Sequence, residues 1–128
     1  MKKFTDIIKE YEDFTAVGGA SNEQIKEAEE ELGLKFSKEY KEFLKEYGAA
    51  CANGHEFFGL CESKRLNIID ATLKAKKKNE AISDELYLIE DMGIDKILTW
   101  QNEKGELFQT VGRGEPVKLE VKLCEYLG

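Results

Sequence analysis

The sequence predicts an α+β domain, and three observations carry the prediction. Capped amphipathic stretches at helical spacing fill the first half, the pattern changes to period-two alternation from Leu86 onward, and 128 residues suit one hydrophobic core. The expected architecture is a mixed, mainly antiparallel sheet of about five or six strands, with helices packed mainly on one side.

Phe4, Ile7, Ile8 and Tyr11 recur at i, i+3, i+4, i+7 and predict a short N-terminal helix lying over the core. Val17-Gly18-Gly19 makes a flexible approach to the next helix. Ser21 stands three residues before Gln24, the capping-box spacing, so that helix starts at Ser21. Ile25, Ala28 and Leu32 form its apolar stripe, and Gly33 ends it. A glycine pair before a helix can hold an anion on free amides, but Ser21 and Gln24 are placed to use those amides themselves. Ser37 caps a third helix, with Tyr40, Phe43, Leu44 and Tyr47 on one face and Gly48 at its end. The four-residue hinge from Gly33 to Phe36 forces the two helices onto each other or onto a common sheet.

After Gly48, the run AACANG is expected to be a loop, HEFFGL and RLNI short strands, and ATLKAKKKNEA a helix beginning at Asp70 or Thr72. LYLIED, KILTWQ and ELFQTVG, separated by turns at 92–95 and 102–105, predict a three-stranded antiparallel meander with Gly105 in a left-handed position. LEVKLCEYL predicts a C-terminal helix with Leu119, Leu123, Tyr126 and Leu127 on one face and Cys124 beside them.

The 26 acidic residues against 19 basic ones give a net charge of -7, which disfavours a duplex-binding surface and favours attraction to basic partners. With 35% charged and 41% hydrophobic residues, the composition is that of a soluble domain, neither disordered nor membrane-spanning. Asp6 and Lys9 interrupt the start before a signal-type apolar run develops, and no stretch is long and apolar enough to span a membrane. Three irregularly spaced cysteines suit a reducing compartment. The expected location is the cytoplasm.

Cys51, His55, Cys61 and Cys124 have the donor chemistry for zinc, but they lack the close Cys-x2-Cys pair that makes such sites specific. Unliganded thiols are the better account, with Cys124 a small apolar residue on the last helix. His55 is the only histidine, and no orienting carboxylate stands at a recognisable spacing from it, so catalysis is not expected there. Lys74, Lys76, Lys77 and Lys78 wrap around their helix, with no aromatic or arginine among them. A solvated face complementing the helix dipole accounts for them better than nucleic-acid binding does. Consecutive acids such as Glu29-Glu30-Glu31 do not by themselves make an acid/base pair. No catalytic residue, metal or cofactor is expected.

The residues left as partner contacts are the aromatics Tyr40, Phe57, Phe58 and Trp100 and the acids Glu29, Glu90 and Asp91. Phe57 and Phe58 are neighbours on a strand and point to opposite faces. Either one is an exposed hot spot, or each is buried beneath a helix, and burial is the preferred account.

Glu29, Leu32, Gly33, Phe36, Ser37, Tyr40, Phe43, Leu44, Tyr47 and Gly48, followed by Phe57 to Leu60, form an ordered pattern. That pattern resembles the signature of the SUKH superfamily, the Smi/Knr-like domains. The later stretches NIIDATLKAKKK and DELYLIEDMGIDKILTWQNEKGELF resemble its bacterial branch, so the likeness runs over residues 20–127 of a single domain that spans 1–128. The family usually has proline where Ser37 stands; either residue starts a helix well. The resemblance implies a non-catalytic immunity protein that binds a cognate polymorphic toxin, a nuclease or other nucleic-acid-directed toxin; the acidic charge and the lack of a long apolar stretch leave nucleic acid and membrane outside the expected partners. Fungal members are implicated in control of cell-wall synthesis, which leaves a regulatory scaffold as the alternative. A zinc protein or enzyme built on Cys51, His55 and Cys61 is a third reading.

Overall fold

A computed structural model describes residues 3–127. In chain order the elements are α1 (Phe4–Ile8), β1 (Thr15–Ala16), α2 (Asn22–Leu32), α3 (Lys38–Tyr47), β2 (Ala50–Ala52) and β3 (His55–Phe57). After a 3-10 turn at Lys64–Leu66 come α4 (Ile68–Lys78), β4 (Tyr87–Asp91), β5 (Ile97–Gln101), β6 (Leu107–Val111), β7 (Val117–Lys118) and α5 (Leu123–Tyr126). The α+β class and the antiparallel pairing match the sequence reading. The strands form two sheets, β1-β2-β3 and β4-β5-β6-β7, instead of one.

The helix signals in the first half act as expected. Gln24 N donates to Ser21 Oγ at 3.1 Å and Ser21 N to Gln24 Oε1 at 2.8 Å, closing the capping box of α2. Gly33 ends α2 in the left-handed conformation at φ 68. Buried Glu29 then fixes the hinge: its Oε2 accepts from Phe36 N at 2.9 Å, while Lys41 and Lys35 lie 3.7 and 3.9 Å from the carboxylate. Ser37 caps α3 by accepting from Tyr40 N at 3.1 Å. Its own amide donates to Tyr87 Oη and its hydroxyl to Gln101 Oε1, tying the start of α3 to β4 and β5.

Three stretches differ from the sequence reading. The run expected to be a loop after Gly48 contains β2 and a two-residue hairpin turn, Asn53-Gly54, with φ 50 and 78. Asn-Gly is a strong signal for this turn, and the small residues around it obscured the strands. Asp13 braces it, accepting from the amides of Asn53 at 2.6 Å and Gly54 at 2.9 Å. α4 begins at Ile68, because the Asn67 side chain accepts from Ile69 N and Asp70 N. RLNI therefore supplies a 3-10 turn, a cap and a helix start, and only an isolated bridge joins Asn67 to Gly59. The C-terminal helix is a single turn, since Val117 and Lys118 pair with β6 as β7.

The meander divides the interior. Tyr87, Ile89 and Leu107 join the larger core with Phe4, Tyr40, Phe43, Phe57 and Leu123, so α1, α3 and α5 share one side. On the other side, Leu88 and Trp100 pack with Ala71 and Ala75 of α4, and Leu88 N donates to Thr72 Oγ1 at 3.0 Å. Phe58 packs against both clusters. A bulge in β4 sets Leu88 opposite Trp100 and Glu90 opposite Thr99, leaving Ile89 as the extra residue. The freed Ile89 carbonyl accepts from Phe58 N at 2.9 Å and so joins the two sheets.

Gly48 and Gly59 are backbone contacts. Leu60 N donates to Gly48 O at 3.0 Å, and a Cβ on Gly59 would lie 1.7 Å from that oxygen. A Cβ on Gly48, itself at φ 75, would lie 2.1 Å from Gly18 O. Gly93 also has a positive φ of 75, but open space surrounds it. Gly59→Ala should therefore cost on the order of 3 kcal/mol or more and Gly93→Ala about 1 kcal/mol, compared by urea denaturation.

The amides of Gly54 and Asn53 hold the Asp13 carboxyl below its usual range. Stability from this lowered acid is present above the unfolded-state aspartate range and is lost as pH falls through the folded value. Asp13→Asn should flatten the acid limb of the stability–pH curve, and an unchanged limb would remove the hairpin brace as its cause.

Candidate functional site

Five of the seven candidate contact residues lie in the interior. Tyr40, Phe57 and Trp100 are 0% exposed, Glu90 is 3% and Glu29 is 7% exposed. Their roles are structural: Tyr40 Oη donates to the Phe58 carbonyl, Trp100 Nε1 donates to Thr110 Oγ1 at 3.1 Å, and Glu29 holds the hinge. None of the five offers a partner an exposed face, so their burial gives them structural roles in place of the expected contacts. Phe58 is half-buried and Asp91 exposed. Phe57 lies at the centre of the larger core, as the preferred account has it.

Phe58, Asp91 and Trp100 nevertheless converge from three segments on one groove of about 1040 Å³, between α4 and the meander. Leu88, Leu98, Ala71 and Ala75 complete its apolar lining. Lys64 and Arg65 of the 3-10 turn, Lys74 and Lys78 of α4, Lys96 of the β4–β5 turn and Arg113 after β6 supply cations, against Asp70 and Asp91. Asn79, the C-cap of α4, fixes the far end by donating to Gly114 O at 2.9 Å. From the sequence alone, the four lysines of α4 read as a solvated face. Lys74 and Lys78 instead join residues distant in sequence, while half-buried Lys76 donates to Asp84 O at 3.0 Å and has its pKa lowered by burial. The missed signal was arginine: the chain has two, Arg65 and Arg113, and both line this groove.

A second cleft, of about 300 Å³, lies between α2 and the chain that follows β3. Ala28, Leu60 and Ile69 form its apolar part, and exposed Glu27, Glu31 and Glu62 flank it. None of these three acids has an ion pair among the described residues.

His55 does have a carboxylate partner, contrary to the sequence reading. Its Nδ1 lies 2.9 Å from both oxygens of Glu90, and Tyr126 Oη donates to Glu90 Oε1 at 2.6 Å. Thr99 Oγ1 and Tyr126 Oη are 2.8 Å apart, and Gln109 Nε2 donates to Thr99 Oγ1 at 3.2 Å. Burial, reinforced by the Glu90 carboxylate, pushes the Tyr126 phenol well above its usual range. The bulge at Ile89 accounts for Glu90 reaching this side of the sheet, and 35 residues separate the pair in sequence.

The network holds no nucleophile from the cysteine set. His55 pairs with Ala52 and Cys51 with Glu56 in the β2–β3 hairpin, so Cys51 and His55 occupy opposite faces. The Cys51 thiol lies 3.8 Å from Glu56 Oε2, and burial followed by that carboxylate pushes its pKa up. Cys61 contacts Ser63 O at 3.5 Å, and Cys124 is half-buried on α5. The tetrad Cys51, His55, Cys61 and Cys124 is not assembled, and no group of three metal-type donors converges among the described residues.

The family model described as SMI1-KNR4 cell-wall, SUKH_5, matches residues 1–110. The chain belongs to this family. The SUKH match takes in α1 and ends within β6, whereas the motif resemblance spans 20–127. No curated protein matches the chain. Most of the SUKH pattern is now accounted for by packing: Glu29 and Ser37 fix the hinge, Tyr40 and Phe43 fill the core, and Gly48 and Gly59 permit the backbone contact.

Glu90 is buried and needs its partners. His55→Ala should lower stability by about 3 kcal/mol, because the carboxylate remains with one contact fewer. Glu90→Gln, which removes the charge and keeps the shape, should cost about 1–2 kcal/mol. Urea titration of both variants checks that order.

Proposed function

We propose that this SUKH-family protein is a non-catalytic immunity protein of the cytoplasm, which binds a cognate polymorphic toxin and blocks its active site. The toxin would be a nuclease or other nucleic-acid-directed protein with a basic surface. The observation that carries the reading is the acidic cleft. Glu27, Glu31 and Glu62 stand unpaired among the described residues around an apolar strip. A lysine or arginine from a partner would lay its stem along Leu60 and Ile69 and present its charge to these acids. The net charge of -7 would steer a basic partner toward the molecule. The same acids have no role in the core, so a partner can use them without cost to the fold.

The family description, with its reference to the cell wall, favours a regulatory scaffold as the second reading. In that case the stable partner would be a signalling or wall-synthesis protein without toxin activity. No helix among the described residues is long and apolar enough to cross a membrane.

The deciding experiment captures the one-to-one partner from source cells and assays its nuclease or deaminase activity with and without this protein. Inhibition supports the immunity reading; a partner without such activity overturns it in favour of the scaffold. With the toxin in hand, the triple variant Glu27→Lys, Glu31→Lys, Glu62→Lys should slow association by roughly tenfold or more at low salt. The difference from the parent should shrink at high salt, as stopped-flow mixing would measure.

A further inference from the structure

We propose that the groove between α4 and the meander is a docking site for an acidic peptide segment of a partner protein, one whose carboxylates alternate with apolar side chains. This goes beyond the toxin-binding reading. The groove shares no lining residue with the acidic cleft and carries the opposite charge.

Charge is the first support. Six of the chain's 19 basic residues line this one groove beside two carboxylates, in a molecule whose net charge is -7. Such a gathering runs against the overall composition. Pairing is the second. Arg65 makes an ion pair, at 2.8 Å, with Glu56, which is itself exposed. Lys64, Lys74, Lys78, Lys96 and Arg113 make none among the described residues. Third, both arginines of the chain are here, and a guanidinium binds a carboxylate through two parallel hydrogen bonds where a lysine offers a point charge. Backbone geometry adds a fourth. Lys96 is held at φ 57 and its neighbour Asp95 at φ 50, a left-handed conformation uncommon outside glycine. The turn that places Lys96 at the groove is thus one that a glycine would adopt more readily.

The lining selects among anions. Half-buried Phe58 and Leu98 and the two half-buried alanines reward apolar side chains on the occupant, which a free phosphate or a purely acidic chain lacks. Nucleic acid is a poorer match. Trp100 is fully buried, so it offers no face on which a base could stack, and the negative field of the whole molecule opposes a long polyanion. A short acidic segment meets only the local cations.

The test uses the whole 128-residue chain and a displayed library of short random peptides. Selection should enrich acidic sequences with interspersed Leu, Ile or Phe. The best of these, titrated as a synthetic peptide, should change the emission of Trp100, the only tryptophan, which lies at the groove. The double variant Lys74→Glu, Lys78→Glu should weaken binding by roughly tenfold or more. Lys96→Gly should weaken it several-fold without lowering the melting temperature, which separates lost contact from lost fold. Enrichment of neutral or basic peptides, absence of enrichment, or a peptide affinity untouched by the Lys74/Lys78 variant would overturn the proposal. So would tighter binding of a short single-stranded oligonucleotide that the same variant abolishes, since that would make the groove a nucleic-acid site. The Lys74/Lys78 variant should still bind the toxin and the Glu27/Glu31/Glu62 variant the peptide, so the two readings fail separately.

Discussion

The amide of Phe58 donates to the carbonyl of Ile89 at the bulge in β4, and much of the molecule's organisation follows from that bond. It couples a small N-terminal sheet to the meander across a point where regular pairing of β4 with β5 is interrupted. A bulge adds one residue and so exchanges the faces of everything after it. Glu90 thereby turns inward to His55 and Tyr126, and Asp91 turns outward to the groove. Without the extra residue, the carboxylate that anchors the buried network would lie on the side of Trp100. The local irregularity thus determines both a polar interior and one edge of a surface.

Charge is distributed unevenly over this frame. Unpaired acids flank the cleft beside α2, while cations from four separate stretches of chain meet beside α4. α4 contributes to both, with Ile69 in the cleft and Lys74 in the groove, so its capped start by Asn67 orients two surfaces at once. Polarity of this kind is invisible to net charge. A value of -7 describes attraction at long range and says little about a partner within a Debye length of one face.

How much of this could be read beforehand depended on whether the cause was local. Ser21, Gly33 and Ser37 act within one helical turn, and the alternation in the meander has a fixed period, so these elements were legible in the sequence. Asn67 reads as part of a strand, and the alanines around Asn53-Gly54 hide that turn, though both signals act locally. The pairing of His55 with Glu90 was of another kind. It depends on the register of two sheets and on a bulge that no residue type announces. The groove likewise gathers Arg65, Lys74, Lys96 and Arg113 through tertiary packing, and only the rarity of arginine hinted at it. The aromatics and acids chosen as contacts carried family signature or local charge, and those features serve the core at Tyr40, Phe57 and Glu29.

Ser37 has a consequence for exchange between relatives. Its amide donates to Tyr87 Oη and its hydroxyl to Gln101 Oε1, while Tyr87 Oη donates to the same Gln101 oxygen at 2.7 Å. Gln101 Nε2 in turn donates to Glu39 of α3 at 2.7 Å. Proline, usual at this place in the family, has neither the amide hydrogen nor the hydroxyl. A helical hairpin with proline at this place would remove one buried hydrogen bond from each of Tyr87 and Gln101 and leave them bonded to each other. The hinge and the middle of the meander are thus coupled through one buried hydrogen-bonded set, although 50 residues separate Ser37 from Tyr87 in the chain.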